Sequence, residues 1–275
     1  MTIETLTSLK LSFFILGFIL FFFLETKYSN RAWKTRLYKR LLFHSTIALF
    51  NTVIMRLPVL FILMPMLLLV TENQFGLLYL IADYNIIKFV ISFLILDIAM
   101  YWWHRFNHKN QFLWRFHFVH HVDTHMDVGT SLRFHIGELI LSTLYKSVVI
   151  LFFGITLAEF LFYEIILVLS VQFHHSNIRI NDRFDASLSK FIVTPKYHTN
   201  HHTRVRKSRE ANYASIFTIW DKIFLSYEDA TDTDREVMGL ENREIELNLI
   251  DNLYLLSTKK LTVIRSDGVI SIRLI

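Results

Sequence analysis

Cysteine is absent from the 275 residues, so the chain forms no disulfide and holds neither a thiolate-ligated haem nor a cysteine-held iron–sulfur cluster. The redox compartment is unreadable for the same reason. Glycine (seven residues) and proline (three) are scarce, and no glycine-rich dinucleotide fingerprint, no P-loop and no fused haem domain with its own histidine motif is present. What fills the chain instead is apolar: 53% hydrophobic residues, twenty-six phenylalanines and a mean hydropathy of +0.37 exceed what a soluble domain carries. The composition is that of an integral membrane protein. A net charge of +5 in so apolar a chain does not indicate a nucleic-acid partner.

Apolar runs set the topology. Residues 11–24 form a first helix, short for a span unless residues 7–10 and Glu25 lie at the interfaces, where Lys10 can snorkel. No small, cleavable site follows it and no positive region precedes it, so it reads as a retained helix rather than a signal peptide. Lys27, Arg31, Lys34, Arg36, Lys39 and Arg40 then fall within fourteen residues without an acidic partner, which assigns this face to the cytoplasm. Residues 41–70, with Pro58 and Pro65, predict a kinked long helix or two half-length pieces, and Arg56 within them is a functional candidate or a paired or snorkelling residue. Residues 71–85 carry Glu72 and Asp83 but no Lys or Arg and read as external. Residues 86–103 return to the cytoplasmic side. Residues 136–173, interrupted near Gly154 and Thr156, fit a helical hairpin, with Glu138, Lys146, Glu159 and Glu164 scattered through it.

Against this apolar background the histidines are clustered. Six of thirteen fall between residues 104 and 125. His104 and His108 form HxxxH; His117, His120 and His121 form HxxHH; His198, His201 and His202 form a second HxxHH. On helices, i, i+3 and i+4 spacing aligns each group on one face, predicted to converge on a common centre. A single histidine is usually a hydrogen-bonded core or surface residue. Three spaced groups indicate a metal centre, and eight neutral imidazoles exceed one tetrahedral zinc and suit two first-row ions side by side. Imidazole serves iron, zinc and copper alike, so the metal stays open on these grounds. The hairpin returns the last group to the face of the first two, so all three can meet.

The segments WWHRFNH, HFVHHVDTHMDV, SLRFH, FHHSNIR, TPKYHTNHH and NYASIFTIWDKIFLSYE, in this order between about residues 51 and 228, resemble the fatty acid hydroxylase and sterol desaturase superfamily. That resemblance implies a non-haem enzyme with two iron ions that uses O2 to oxidise an unactivated C–H bond of a lipid (a sterol, fatty acyl group or relative). The product is an alcohol or, in desaturases of the same family, an alkene. It implies as ligands His104, His108, His117, His120, His121, His198, His201 and His202, with His175 as the ninth and His174 its near rival. His135 matches a histidine of many but not all branches, at the metal or its shell; His125 matches no ligand position. Asp97 matches an acidic position that orients an imidazole through its second nitrogen, or serves as a helix-to-helix polar contact. Asp221 recurs in the family, but capping or packing explains it. No further catalytic residue is implied.

With no electron-carrying module in the chain, electrons come from a separate electron-transfer protein or reductase, for which Arg204, Arg206, Lys207 and Arg209 offer a docking surface or a site for anionic headgroups. A metal-binding or sensor protein without turnover is the rival of another class, against which the intact boxes argue. The expected fold is an all-α integral membrane protein, a multi-pass helical bundle with a cytosolic histidine-rich helical cap. Residues 1–228 would form the bundle and cap, and residues 229–275 a C-terminal tail ending in a short β-hairpin, strands 261–265 and 269–273 around Ser266, Asp267 and Gly268.

Overall fold

The computed structural model describes residues 3–33, 36–81, 85–240, 260–265 and 268–273. Lys34 of the basic run, Asp83 of the external loop and Ser266 and Asp267 of the terminal turn lie outside the described residues. The described chain is predominantly helical, and five of its helical segments are long and apolar enough to cross a membrane: Ser8–Lys27, Leu37–Leu80, Ile86–Lys109, Ile136–Phe153 and Leu157–His175.

Helix α1 (Ile3–Lys27) ends at the histidine cap, where the buried Glu25 carboxylate accepts from Val128 N and Asn177 N at 2.9 and 2.8 Å. Helix α2 (Leu37–Pro58) leaves the same face and continues through a π-turn, Val59–Leu63, into α3 (Met64–Asn73). It is one continuous rod, not a pair of half-helices. Pro58 and Pro65 each remove a backbone donor, and the rod absorbs the loss by widening between them, with Met64 N bonding Val59 O. At about 1.5 Å per residue the whole segment far exceeds a hydrocarbon core of about 30 Å. Its first part therefore stands beside the cap: Arg40 bonds Asp123 and Asp127, and Asn51 donates to Phe134 O at 2.8 Å. Arg56, one turn beyond, is exposed on the bundle's outer face and takes no part in the site.

After the short α4 (Leu78–Ile81), α5 (Asn85–Lys109) returns to the cap. Asn110 caps α6 (Gln111–His121) by accepting from Phe112 N and Leu113 N. A 3-10 turn, Val128–Leu132, closed by an Asp127–Thr130 capping box, leads into α7 (Ile136–Phe153), which descends. Gly154 at φ +77° ends it, since a Cβ there would strike Phe75 O and the backbone of Gly76. Thr156 and Glu159 then cap α8 (Leu157–His175), which climbs back to the cap and completes the expected hairpin. Beyond it, α9 (Asp182–Leu188), α10 (Pro195–His201), α11 (Arg206–Arg209), α12 (Ile219–Ile223) and α13 (Asp232–Arg235) are short and lie in the cap.

Two cores follow. Leu67, Leu96, Ile150, Phe160 and Tyr163 join α3, α5, α7 and α8 below the histidines; Tyr101, Val193, Tyr197 and Tyr213 pack the cap. Chain beyond residue 228 still packs on the cap, with Arg235 Nε on Asn200 Oδ1 at 2.7 Å and Met238 buried. Strands β1 (Lys260–Arg265) and β2 (Gly268–Arg273) pair antiparallel, Lys260 opposite Arg273.

Candidate metal centre

The histidine-bearing ends of α5, α6, α8 and α10 meet beneath residues 211–215. Ligand nitrogens of His104, His108, His117, His121 and His201 lie within 4.8 Å of one another, and those of His120, His175, His198 and His202 form a second such group. The two are contiguous, with the rings of His121 and His202 stacked at 4.4 Å between centroids. The expectation that each box converges on one centre is corrected here. A residue steps about 100° around a helix, so His120 and His121 diverge even though both face inward, and each HxxHH box divides between the groups.

Hydrogen bonding fixes which nitrogen is free. Backbone carbonyls accept from Nδ1 of His104 (Tyr213 O, 2.8 Å), His120 (Arg133 O, 3.2 Å), His175 (Val171 O, 2.7 Å) and His201 (Ala211 O, 2.6 Å). A carbonyl only accepts, so these four rings carry their proton on Nδ1 and present a bare Nε2. His120 Nε2 and His175 Nε2 then face each other at 2.9 Å with no proton between them. Two opposed lone pairs at that distance repel unless a cation neutralises both. Nε2 of His104 and of His201 is likewise buried without a protein partner. Burial, reinforced by neighbouring imidazoles, holds His120, His121, His198, His201 and His202 well below the usual histidine pKa, in the neutral form that ligates. The donor set fits metal ions.

Other expected residues lie at the edge. His174 belongs to neither group, although its ring is 4.2 Å from that of His198. His135 is also outside both; its Nδ1 accepts from Gly137 N as the cap of α7. His125 packs against Trp33, ring centroids 5.0 Å apart and the planes inclined at 46°, away from the centre. Asp97 meets no imidazole: its Oδ2 accepts from Trp220 Nε1 of α12 at 2.6 Å and from Phe217 N at 3.3 Å, in line with the helix-to-helix polar contact that is its alternative role.

Two acids do act on the histidines. Glu138 Oε1 accepts from His117 Nδ1 at 2.9 Å. Its signal was its place one turn after His135, overlooked among scattered acids of an apolar run. Asp221 accepts four bonds, from Tyr213 N, Ala214 N, Ser226 Oγ and Tyr197 OH at 2.7–2.9 Å, and so anchors the segment whose carbonyls orient His104 and His201. Burial raises its pKa, while those four donors oppose the rise.

A cavity of about 280 Å³ opens from the histidines toward the bundle between α5, α7 and α8, with Trp103, Leu139, Leu167 and Val171 among its walls. The basic surface is smaller than expected. Arg206 and Lys207 are exposed, but Lys207 pairs with Glu228, and Arg209 is buried, donating to Arg204 O.

Comparison with known proteins adds names to this geometry. The family model for fatty acid hydroxylase matches residues 89–226, half of the chain and the whole of the histidine region. Alkylglycerol monooxygenase of Homo sapiens is 30% identical over 154 residues, covering 54% of this chain and 32% of that protein. Ornithine lipid hydroxylase OlsE of Rhizobium tropici is 27% identical over 134 residues, 49% of this chain and 40% of its own length. Very-long-chain aldehyde decarbonylase GL1-9 of Oryza sativa is 27% identical over 161 residues, 58% and 61% of the two chains. The chain thus spans about a third of the length of the human relative. No solved structure matches. With its helices, histidine groups and family match in agreement, the chain belongs to the fatty acid hydroxylase family, within the fatty acid hydroxylase and sterol desaturase superfamily.

Proposed function

We propose that this chain is an O2-dependent oxidoreductase of the membrane that hydroxylates an unactivated C–H bond of a lipid, with two iron ions held by nine histidines. Five imidazoles, His104, His108, His117, His121 and His201, form one ligand set, and His120, His175, His198 and His202 the other. The observation that carries the reading is the pair of bare, opposed Nε2 atoms of His120 and His175, repeated by the unpartnered Nε2 atoms of His104 and His201. Iron bound in these sets would supply O2 activation and C–H oxidation.

The chain's own residues do the rest. Carbonyls of residues 133, 171, 211 and 213 hold four rings in one tautomer, and Glu138 fixes His117. Trp103, Leu139, Leu167 and Val171 receive an alkyl chain and keep water from the reacting carbon. Exposed Arg206 and Lys207 beside the last box support docking of a separate acidic electron-transfer protein or reductase. The positive-inside rule supports a cytoplasmic cap, since Lys27, Arg31, Arg36, Lys39 and Arg40 run from the last residue of α1 to the first turn of α2 on the cap's face.

Lipid mass spectrometry of membranes carrying the wild-type chain or His121→Ala, under isotopically labelled O2, tests the proposal. A lipid that gains one labelled oxygen only with the wild-type chain is expected. A lipid lighter by two hydrogens would assign desaturation at the same centre, and turnover retained by His121→Ala would overturn the ligand assignment.

A further inference from the structure

The cavity that begins at the histidines ends at three charges. Glu164 of α8 accepts from Lys10 Nζ at 2.7 Å through one carboxylate oxygen and from Lys146 Nζ at 2.9 Å through the other, and all three side chains line the cavity. One carboxylate balances one ammonium. A single lysine would satisfy Glu164, so the second leaves a unit of positive charge at this end of the cavity; Glu138, the other carboxylate of its lining, stands about 12 Å away along α7 and is taken up by His117, and unneutralised charge inside a spanning region is costly and marks a site of function. Lys146 lies in the interior of α7, away from either end, and its side chain is 15% exposed. Snorkelling does not account for it. Each ammonium keeps donors beyond the one given to Glu164.

Spacing gives the site its length. Glu138, Ser142 and Lys146 follow one another at i, i+4 and i+8 on the cavity face of α7, from the acid bonded to His117 down to the lysine. Along α7 the separation is about 12 Å, and from His175 to Glu164 along α8 about 16 Å, at 1.5 Å per residue. Besides Ser142, the walls between are formed largely by apolar side chains, Met100, Leu139, Leu167, Val168 and Val171 among them.

We propose that Lys10 and Lys146 form a subsite for the oxyanion of a long-chain amphiphile, with its alkyl chain laid toward the histidines. An extended chain covers somewhat more than 1 Å per bond, so the carbon facing the histidines lies about ten to fourteen bonds from the charged group. The regiochemistry rests on the lipid-oxidising reading above; the binding does not.

The test uses the full chain in lipid nanodiscs, with hexadecanoate, 1-hexadecanol and hexadecyl phosphate as probes and bound iron counted in the same samples. Wild-type protein is expected to bind one of the two oxyanions about tenfold or more tighter than the alcohol, as hydrogen bonds to charged groups do. The preferred anion distinguishes a carboxylate from a phosphate ligand. Lys10→Met and Lys146→Met should each lose most of that preference with iron content unchanged, and each leaves a balanced Lys–Glu pair that keeps the bundle folded. Glu164→Gln should keep the preference or sharpen it. Equal affinity for anions and alcohol in the wild type, or a preference surviving both lysine variants, would overturn the subsite. Selective anion binding by a chain without iron would support the subsite while removing the redox reading.

Discussion

His120 and His121 are neighbours in sequence, yet their imidazoles belong to different ligand groups: His121 Nε2 lies 3.1 Å from His108 Nε2, and His120 Nε2 lies 2.9 Å from His175 Nε2. One peptide unit thus ties the two candidate metal positions together, and α6 carries both at its last turn.

Replacing either should therefore remove one ion before the other. His120→Ala and His121→Ala are each expected to lower iron from about two to about one or fewer per chain, because an unpaired ligand set loses affinity. Iron counting on purified protein checks this, and two ions retained by both variants would show that neither residue is a ligand.

Glu138 holds the proton-bearing nitrogen of His117. Glu138→Ala should weaken metal retention by about 10–100-fold, the range for lost outer partners of ligating histidines. Glu138→Gln, whose amide oxygen still accepts from Nδ1, should retain more. A chelator titration separates the two, and identical behaviour would argue against orientation as the cause.

Asp221 sits away from every ligand and should still matter to them. In Asp221→Asn one carboxylate oxygen becomes an amide donor facing two of the four existing donors, at a cost of about 2–4 kcal/mol. Loss of metal is expected first at the group containing His104 and His201. Thermal melting and iron content of the same sample measure both effects.

Asp123 joins the start of α2 to the cap through Arg40 at 2.8 Å and accepts from Thr130 Oγ1 at 2.8 Å. Burial pushes its pKa up, but Arg40, Arg133 and His44 outweigh it and hold the carboxyl well below the usual carboxylate range. A depressed folded pKa means that the unfolded chain takes up the proton first, so this stability is complete above about pH 4 and fades as pH falls through the folded value. Asp123→Asn should destabilise the chain by about 1.5–3 kcal/mol at neutral pH, because Arg40 loses one of its two carboxylate partners and keeps Asp127. It should also flatten the acid limb of stability against pH.

Much of this was legible in the residues. Hydropathy located the five long apolar segments, the return of the hairpin at Gly154 and Thr156, and hence the meeting of all three boxes. Spacing located the eight box histidines but not their division, because i, i+3, i+4 names a helix face and not the two sides of that face. For α2 and α3 a kinked long helix and two half-length pieces both stayed open, because prolines announce a lost hydrogen bond without saying whether the helix breaks or widens around it. Asp97 stands out through the family resemblance, at an acidic position two turns before His104; its carboxylate points sideways to Trp220 instead. Glu138 was hidden by the opposite error, an acid discounted for its apolar surroundings.

Orientation of four ligands by main-chain carbonyls has an evolutionary consequence. Residues 133, 171, 211 and 213 supply an oxygen that every amino acid possesses, so their side chains can drift without disturbing the tautomers of His120, His175, His201 and His104. For the tautomers alone the requirement falls on backbone path; Val171 as a cavity wall, Tyr213 in the cap core and Arg133 beside Asp123 answer to side-chain constraints of their own. Relatives that differ at these positions can inherit the same ligand geometry as long as the segments carrying those carbonyls keep their course.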